Sequence, residues 1–232
     1  MKKKQIITLF FICLTTSLFT LDLGIVSVAL IDIQGSFSTI KAVASWVITV
    51  FSISSAIGII SLASLCKLFG RKNIYSFGIL GFTICSTLCG IATNIETLLF
   101  FRFLQGFFGA SLVALSQAIV IDIFPSNQRS KALAAWTFGL LAGPVIGPLL
   151  GGYLIEYFNW RWIFFINLPI GLSAFIGIIL FLDKDKKALN FKINYIGFLL
   201  LSFTAASLQL ILDRGEMEDW FSSSFIIFLN II

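Results

Sequence analysis

Seven runs of this chain are long and apolar enough to cross a lipid bilayer, and they limit everything else it can be. They occupy residues 6–31, 42–65, 74–92, 98–121, 132–154, 162–182 and 195–212. A spanning helix needs about 20 apolar residues. In hydrocarbon the backbone must satisfy its own polar groups, so such runs are read as helices. An eighth run, 225–232, stops after eight residues and is too short to cross. The chain is 58% hydrophobic and 12% charged, against about 25% charged in soluble domains, and no water-soluble core could take up that much apolar surface. The first run follows Met1-Lys-Lys-Lys4 and is longer than the apolar region of a signal peptide, about 7–15 residues, although Ser27-Val28-Ala29 resembles a cleavage site. The expected fold class is an all-α membrane protein.

Charge fixes an expected orientation. With Met1 inside, twelve Lys and Arg side chains fall in the inner segments and three, Lys41, Arg161 and Arg214, in the outer ones. Basic residues favour the cytoplasmic side. The net charge of +5 does not point to nucleic acid, because the cations sit in short loops between apolar runs. There is no histidine, which removes histidine acid–base chemistry and histidine metal sites. Cys13, Cys66, Cys85 and Cys89 lie in or beside apolar runs and read as small buried residues rather than metal ligands. No catalytic constellation or soluble domain is present, so an enzyme is not expected.

Within span 5, Gly139, Gly143, Gly147 and Gly151 recur every four residues, with Pro144, Pro148 and Gly152 among them. On a helix that spacing keeps the small residues on one slowly drifting face. In lipid such a face lets a neighbouring helix approach to backbone contact. The prolines each remove a backbone donor and bend the helix. The expectation is a bent helix packed closely on another.

Two ionisable residues fall inside spans, where each costs at least about 2.5 kcal/mol. Asp22 lies roughly 13 Å, and Arg102 roughly 6 Å, below the outer end of its span at 1.5 Å per residue. Either both serve a site, or Asp22 is a structural partner and Arg102 reaches for the interface. Along span 4, Arg102, Gly106, Gly109, Val113 and Ser116 form one small, polar stripe flanked by Gln105 and Gln117. It can face a cavity or serve as helix-packing glue. Gly70, Arg71 and Lys72 make a tight inner turn between spans 2 and 3, which by itself is a topology anchor.

Together these pieces resemble the major facilitator superfamily, and within it the 14-helix drug:proton antiporter branch. The resemblance is carried by Leu21-Asp22-Leu-Gly-Ile-Val-Ser-Val-Ala-Leu30, Trp46-Val-Ile-Thr-Val-Phe51, Leu99-Phe-Phe-Arg102-Phe-Leu-Gln105-Gly106-Phe-Phe-Gly109, Phe124-Pro125, the span 5 glycine–proline stretch, and Trp160-Arg161-Trp162-Ile-Phe-Phe-Ile-Asn167-Leu-Pro169-Ile-Gly171. The loop motif departs from the family's. Lys67 stands where relatives have an aspartate and Leu68 where they have the first arginine, so the usual charge relay lacks two members.

The resemblance implies the N-terminal six-helix half of a major facilitator fold (1–183, two inverted three-helix repeats), a basic cytoplasmic linker (184–194), then a linker helix and a partial eighth span (195–232). It implies efflux of small amphipathic compounds across the bacterial cytoplasmic (inner) membrane, coupled to the proton gradient without a cofactor. Asp22 and Arg102 would couple protons, and Gln105, Gly106, Gly109 and Gln117 would face the substrate cavity. A transporter's site lies between two halves, so the expected partners are the bilayer, the substrate, and a missing C-terminal half or a second copy. The alternative is a non-transporting product of a truncated gene, or a half that works only with a separate partner.

The orientation is directly testable. A single cysteine at Gly215, in a chain freed of its four native cysteines, should react with an impermeant maleimide on intact cells. Labelling only after lysis would overturn it.

Overall fold

The computed structural model describes residues 3–183 and 195–215, with Trp220, Ser223 and Ile226. The expected basic linker 184–194 and nearly all of the short run 225–232 lie outside these residues. Described are α1 (Lys3–Ser36), α2 (Lys41–Ala44), α3 (Trp46–Phe69), α4 (Arg71–Gly90), α5 (Ile95–Ile123), α6 (Ser126–Tyr157), α7 (Trp162–Phe165), α8 (Asn167–Phe181) and α9 (Tyr195–Arg214), with no strand among them. Taken with their short leading helices α2 and α7, these make seven segments of spanning length and apolarity, matching the seven sequence runs. The helices outlast the runs by a turn or so at several ends, because hydropathy marks the hydrocarbon and not the hydrogen-bonded helix.

Local chemistry sets the boundaries. Asn94 caps α5, its side chain accepting from Thr97 N at 2.8 Å, which satisfies one of the orphan donors of a helix start. Gly70 joins α3 to α4 with φ +84°, a conformation that favours glycine. Pro125 precedes α6, where its missing N–H costs nothing. Inside α6, Pro144 and Pro148 are exposed and the helix runs through both unbroken.

Within the first six spans the strongest pairings are α1 with α6, α3 with α5, α4 with α5, α4 with α8, and α1 with α8. Exchanging α1 with α5, α3 with α6 and α4 with α8 maps this set onto itself, as two inverted three-helix repeats require. α9 packs on α3. Arg214 closes that contact by donating to Ala42 O at 3.1 Å and lying 4.2 Å over the Trp46 ring.

The two leading pairings are glycine seams. Added Cβ atoms at Gly139, Gly147 and Gly151 would stand 3.0 Å from Cys13 O, 3.1 Å from Gly24 Cα and 3.4 Å from Ile25 Cα on α1. One at Gly143 would land on Thr20 Oγ1 and the Leu21 backbone nitrogen. On the other side Gly106 abuts Phe51 O and Ser54 of α3, and Gly58 abuts Phe107 O of α5. Gly152 has nothing within 4 Å; it stands one residue off the seam.

Side chains latch both ends of the bundle. At the end carrying the N-terminus, Lys4 pairs with Asp183, Arg71 pairs with Asp122, and Lys72 donates to the last carbonyls of α8, Ile179 O at 2.7 Å and Leu182 O. The hydrogen bond from Lys4, and then its charge, hold the Asp183 carboxyl below its usual range. At the opposite end Trp160 Nε1 donates to Ser36 Oγ at 2.8 Å, and Arg161 donates to Gly90 O at 3.0 Å and Ala92 O at 2.6 Å where α4 ends. Cations on terminal carbonyls are favourable, because that end of a helix is partially negative.

Overpacking separates the seam glycines from the others. Gly143→Val should destabilise the bundle by about 1–3 kcal/mol, read as a fall in its heat-denaturation midpoint in detergent. Gly152→Ala should leave that midpoint unchanged.

Candidate functional site

Two apolar clusters stack along the bundle. One is built around Leu18, Phe51, Tyr75, Phe82 and Trp136, the other around Ile25, Val47, Leu98 and Phe164. Between them sits a group of polar side chains with no access to solvent. Asp22 is 1% exposed and Arg102 0%. Arg102 Nη1 donates to Asp22 Oδ2 at 2.6 Å and to Gln105 Oε1 at 2.9 Å. Arg102 Nε donates to Val47 O at 3.1 Å, and its guanidinium carbon lies 4.1 Å from the Phe51 ring centre and 5.7 Å from that of Phe164.

Local geometry explains the assembly. Arg102 and Gln105 are three apart on α5 and so share a face. Gly106, on the next turn, brings α3 to backbone contact at Phe51 O. Val47, one turn before Phe51, then offers its carbonyl to Arg102. Asp22 enters from α1. Its Oδ1 accepts from Gln105 Nε2 at 2.9 Å and from Asn167 Nδ2 at 3.1 Å. Asn167 Nδ2 also donates to Ser86 Oγ at 2.9 Å, and Ser86 donates to Phe164 O at 2.9 Å. Cys89 Sγ lies 3.5 Å from Gln105 Oε1. The ion pair therefore binds α1, α3, α4, α5 and the α7–α8 segment at one point. A buried charge with fixed partners is what an intramembrane site requires.

The residues singled out from sequence are distributed unevenly. Asp22, Arg102 and Gln105 come together. Gly106 and Gly109 are packing glycines: an added Cβ at Gly109 would stand 3.0 Å from both Phe19 and Phe82. Both sit in helix contacts, the packing alternative for this stripe. Gln117 is exposed and stands apart from the cluster. Ser116 belongs to a second polar knot, where Trp136 Nε1 donates to Ser116 Oγ at 2.9 Å and to Thr16 Oγ1 at 3.1 Å. Gly70, Arg71 and Lys72 act at the end latches, and the span 5 glycines at the α1 seam. Sequence reasoning named Asn167 only within the span 6 stretch that carries the resemblance, and gave no site role to it, to Ser86 or to Asp122. Asn167 carried a usable signal as an amide six residues into an apolar run.

A family model described as Major Facilitator Superfamily matches residues 12–231. The chain belongs to that superfamily. It is 36% identical over 220 residues to the multidrug export protein EmrB of Escherichia coli K12, covering 94% of this chain and 43% of that protein. It is 38% identical over 212 residues to the fatty acid resistance protein FarB of Neisseria gonorrhoeae, covering 91% and 42%. The chain thus spans less than half the length of the curated relatives it matches. Among solved structures, a peptide transporter POT in complex with sulfate superposes with a TM-score of 0.70 at 13% identity, covering 92% of this chain and 47% of that one. An inward-facing bacterial homolog of the human lysosomal transporter Spinster superposes with a TM-score of 0.65 at 18% identity, covering 93% and 58%. At these identities the structures establish the fold alone.

Removing one partner of a buried ion pair costs about 3–5 kcal/mol, and removing both costs less. Arg102→Leu should therefore destabilise the protein more than the Asp22→Leu/Arg102→Leu double variant does. Heat denaturation of both in the same detergent checks the order.

Proposed function

We propose that this chain forms one half of a proton-coupled exporter of small amphipathic compounds. It would work in the cytoplasmic (inner) membrane of a bacterium, with Lys4 on the cytoplasmic side. The observation that carries the reading is the fully buried Asp22–Arg102 pair, in a bundle whose relatives are named for multidrug export and for fatty acid resistance. Drugs and fatty acids are both amphipathic, and that is the substrate class inferred.

The coupling follows from the electrostatics of the pair. An ionised Asp22 holds Arg102, Gln105 and Asn167 as donors around it. A proton on Asp22 cancels the charge that Arg102 answers and leaves the guanidinium buried beside a neutral acid, which is costly. The helices must then rearrange to give Arg102 another partner or water. Proton binding and helix position are linked in this way, with the proton gradient as the driving force and no cofactor. Substrate would bind between this six-helix unit and a second one, since alternating access needs two units rocking about a shared site. The short coverage of its relatives favours a second half as the partner, with self-association as the other route to a complete site. The excess of basic residues at the Lys4 end supports the orientation.

The test is efflux of ethidium from a drug-sensitive bacterial host. Residues 1–232 alone should give none. Co-produced with the second half of the E. coli relative, they should restore efflux. A protonophore, or Asp22→Asn, should then return it to background. Efflux that survives the protonophore would overturn proton coupling. Efflux from residues 1–232 alone would replace the second half with self-assembly.

A further inference from the structure

Asn167 is fully buried, and both hydrogens of its amide are placed. One goes to Asp22 Oδ1 at 3.1 Å and the other to Ser86 Oγ at 2.9 Å. Ser86 spends its own hydrogen on Phe164 O at 2.9 Å, three residues before Asn167. The direction of the chain is therefore fixed, from Asn167 through Ser86 to the Phe164 carbonyl, and from Asn167 to the carboxylate. The other amide atom, Oδ1, is buried with no hydrogen-bond partner. A buried acceptor without a partner is destabilising, and a leucine would fill the same volume without that cost. The amide offers what leucine cannot, a donor aimed at Asp22.

The helices that present this amide are fixed to each other at three heights. Lys72, at the start of α4, holds the last carbonyls of α8, and Arg161, before α7, holds the last carbonyls of α4. At mid-height, Gly171 sits so close to Thr83 that an added Cβ would strike its side chain. Gly171 is one turn after Asn167, and Thr83 is one turn before Ser86. This close approach puts Ser86 within reach of the amide. Together the contacts make α4 and α8 a single antiparallel frame.

We propose that Asn167 is the positioning residue for Asp22, delivered by the α4–α8 frame, and that it holds the carboxylate in its Arg102-paired form. The proposal rests on the reading of Asp22 as the proton-carrying group. It assigns to α8 a role that neither charge nor hydropathy marks. Asn167 acts through Asp22 and touches no substrate.

The test reads Asp22 directly and needs no transport. Residues 1–232 in nanodiscs of neutral lipid are treated with dicyclohexylcarbodiimide, which modifies protonated carboxyls in apolar surroundings, and labelling of Asp22 is followed by mass spectrometry. Alkylation of Cys89 by N-ethylmaleimide is followed in parallel. Cys89 lies against Gln105 in the same cluster and reports whether the cluster has simply opened. In Asn167→Leu, carbodiimide labelling of Asp22 should rise roughly tenfold, the factor that losing one hydrogen bond to a charged group gives, with Cys89 alkylation unchanged. Ser86→Ala leaves the amide in place but frees its orientation, and should give a smaller rise of the same kind. It decides the matter if the leucine variant does not fold. Unchanged labelling of Asp22 overturns the proposal. So does a rise at Asp22 matched by a rise at Cys89, which would make Asn167 a packing residue. Because labelling is independent of efflux, the positioning role and the transport reading can fail separately.

Discussion

The arrangement of this bundle depends on a carboxylate and a guanidinium that have no water to retreat to. In the interior of a soluble protein, desolvation of such a pair often cancels its attraction, and well-packed apolar residues would do as well. Here the surroundings sharpen both terms, since hydrocarbon lies outside the bundle and two apolar clusters lie above and below the pair. Asp22 and Arg102 are tolerated because most of the polar atoms around them have partners, Arg102 Nη2 and Asn167 Oδ1 being exceptions. Asp22 takes three donors, and Arg102 serves Asp22, Gln105 and Val47 O and lies over Phe51. These bonds make the pair a hub. Neither α1, α3, α5 nor α8 can shift without leaving one of these groups unsatisfied.

Elsewhere the helices are held by different means, because lipid provides no hydrophobic drive for apolar helices to associate. Close approach replaces it. Gly58, Gly78 and Gly106 let α3, α4 and α5 pack to near backbone contact, and the span 5 glycines do the same between α6 and α1. The ends are secured by cations on terminal carbonyls, where the helix dipole and the orphan acceptors coincide. The centre is therefore specified by charge, the flanks by size and the ends by helix polarity.

This division explains what could be read in the sequence. Apolar length gave the seven spans, and a four-residue glycine repeat gave a close seam, because both are local patterns. Asp22 and Arg102 stood out because charge at membrane depth is rare. Their meeting, 80 residues apart in sequence, was not legible from spacing, and neither was the choice of α1 as the partner of the glycine seam. Gln105 and Gln117 looked alike in sequence. They are 12 apart, and that interval carries Gln105 into the cluster and leaves Gln117 exposed. For Gly106 and Gly109 the sequence left a cavity face and a packing face open, since a small residue on a polar stripe has the same signature either way; both abut neighbouring helices here. Asn167 and Ser86 are uncharged and gave no energetic alarm, although they complete the carboxylate's shell.

α6 stands outside the hub. Among the described residues it contributes nothing to the shell of Asp22, and its hydrogen bonds to α1 fall in the half nearer the N-terminus, at Cys13 to Ala135 O, Trp136 to Thr16, and Ser17 to Gly139 O. Beyond Gly143 the seam is close van der Waals contact against the α1 backbone, Gly147 on Gly24 and Gly151 on Ile25. Parting that half breaks no hydrogen bond and forfeits only dispersion contacts of about 0.1–0.2 kcal/mol per atom pair. Moving α1 away from α5 or α8 would strand a charge. The half of α6 beyond Gly143 is thus a part of the six-helix unit that can move from α1 without breaking a hydrogen bond among the described residues. The prolines on its exposed face add to this, since each has already removed a backbone donor that a rigid helix would keep bonded.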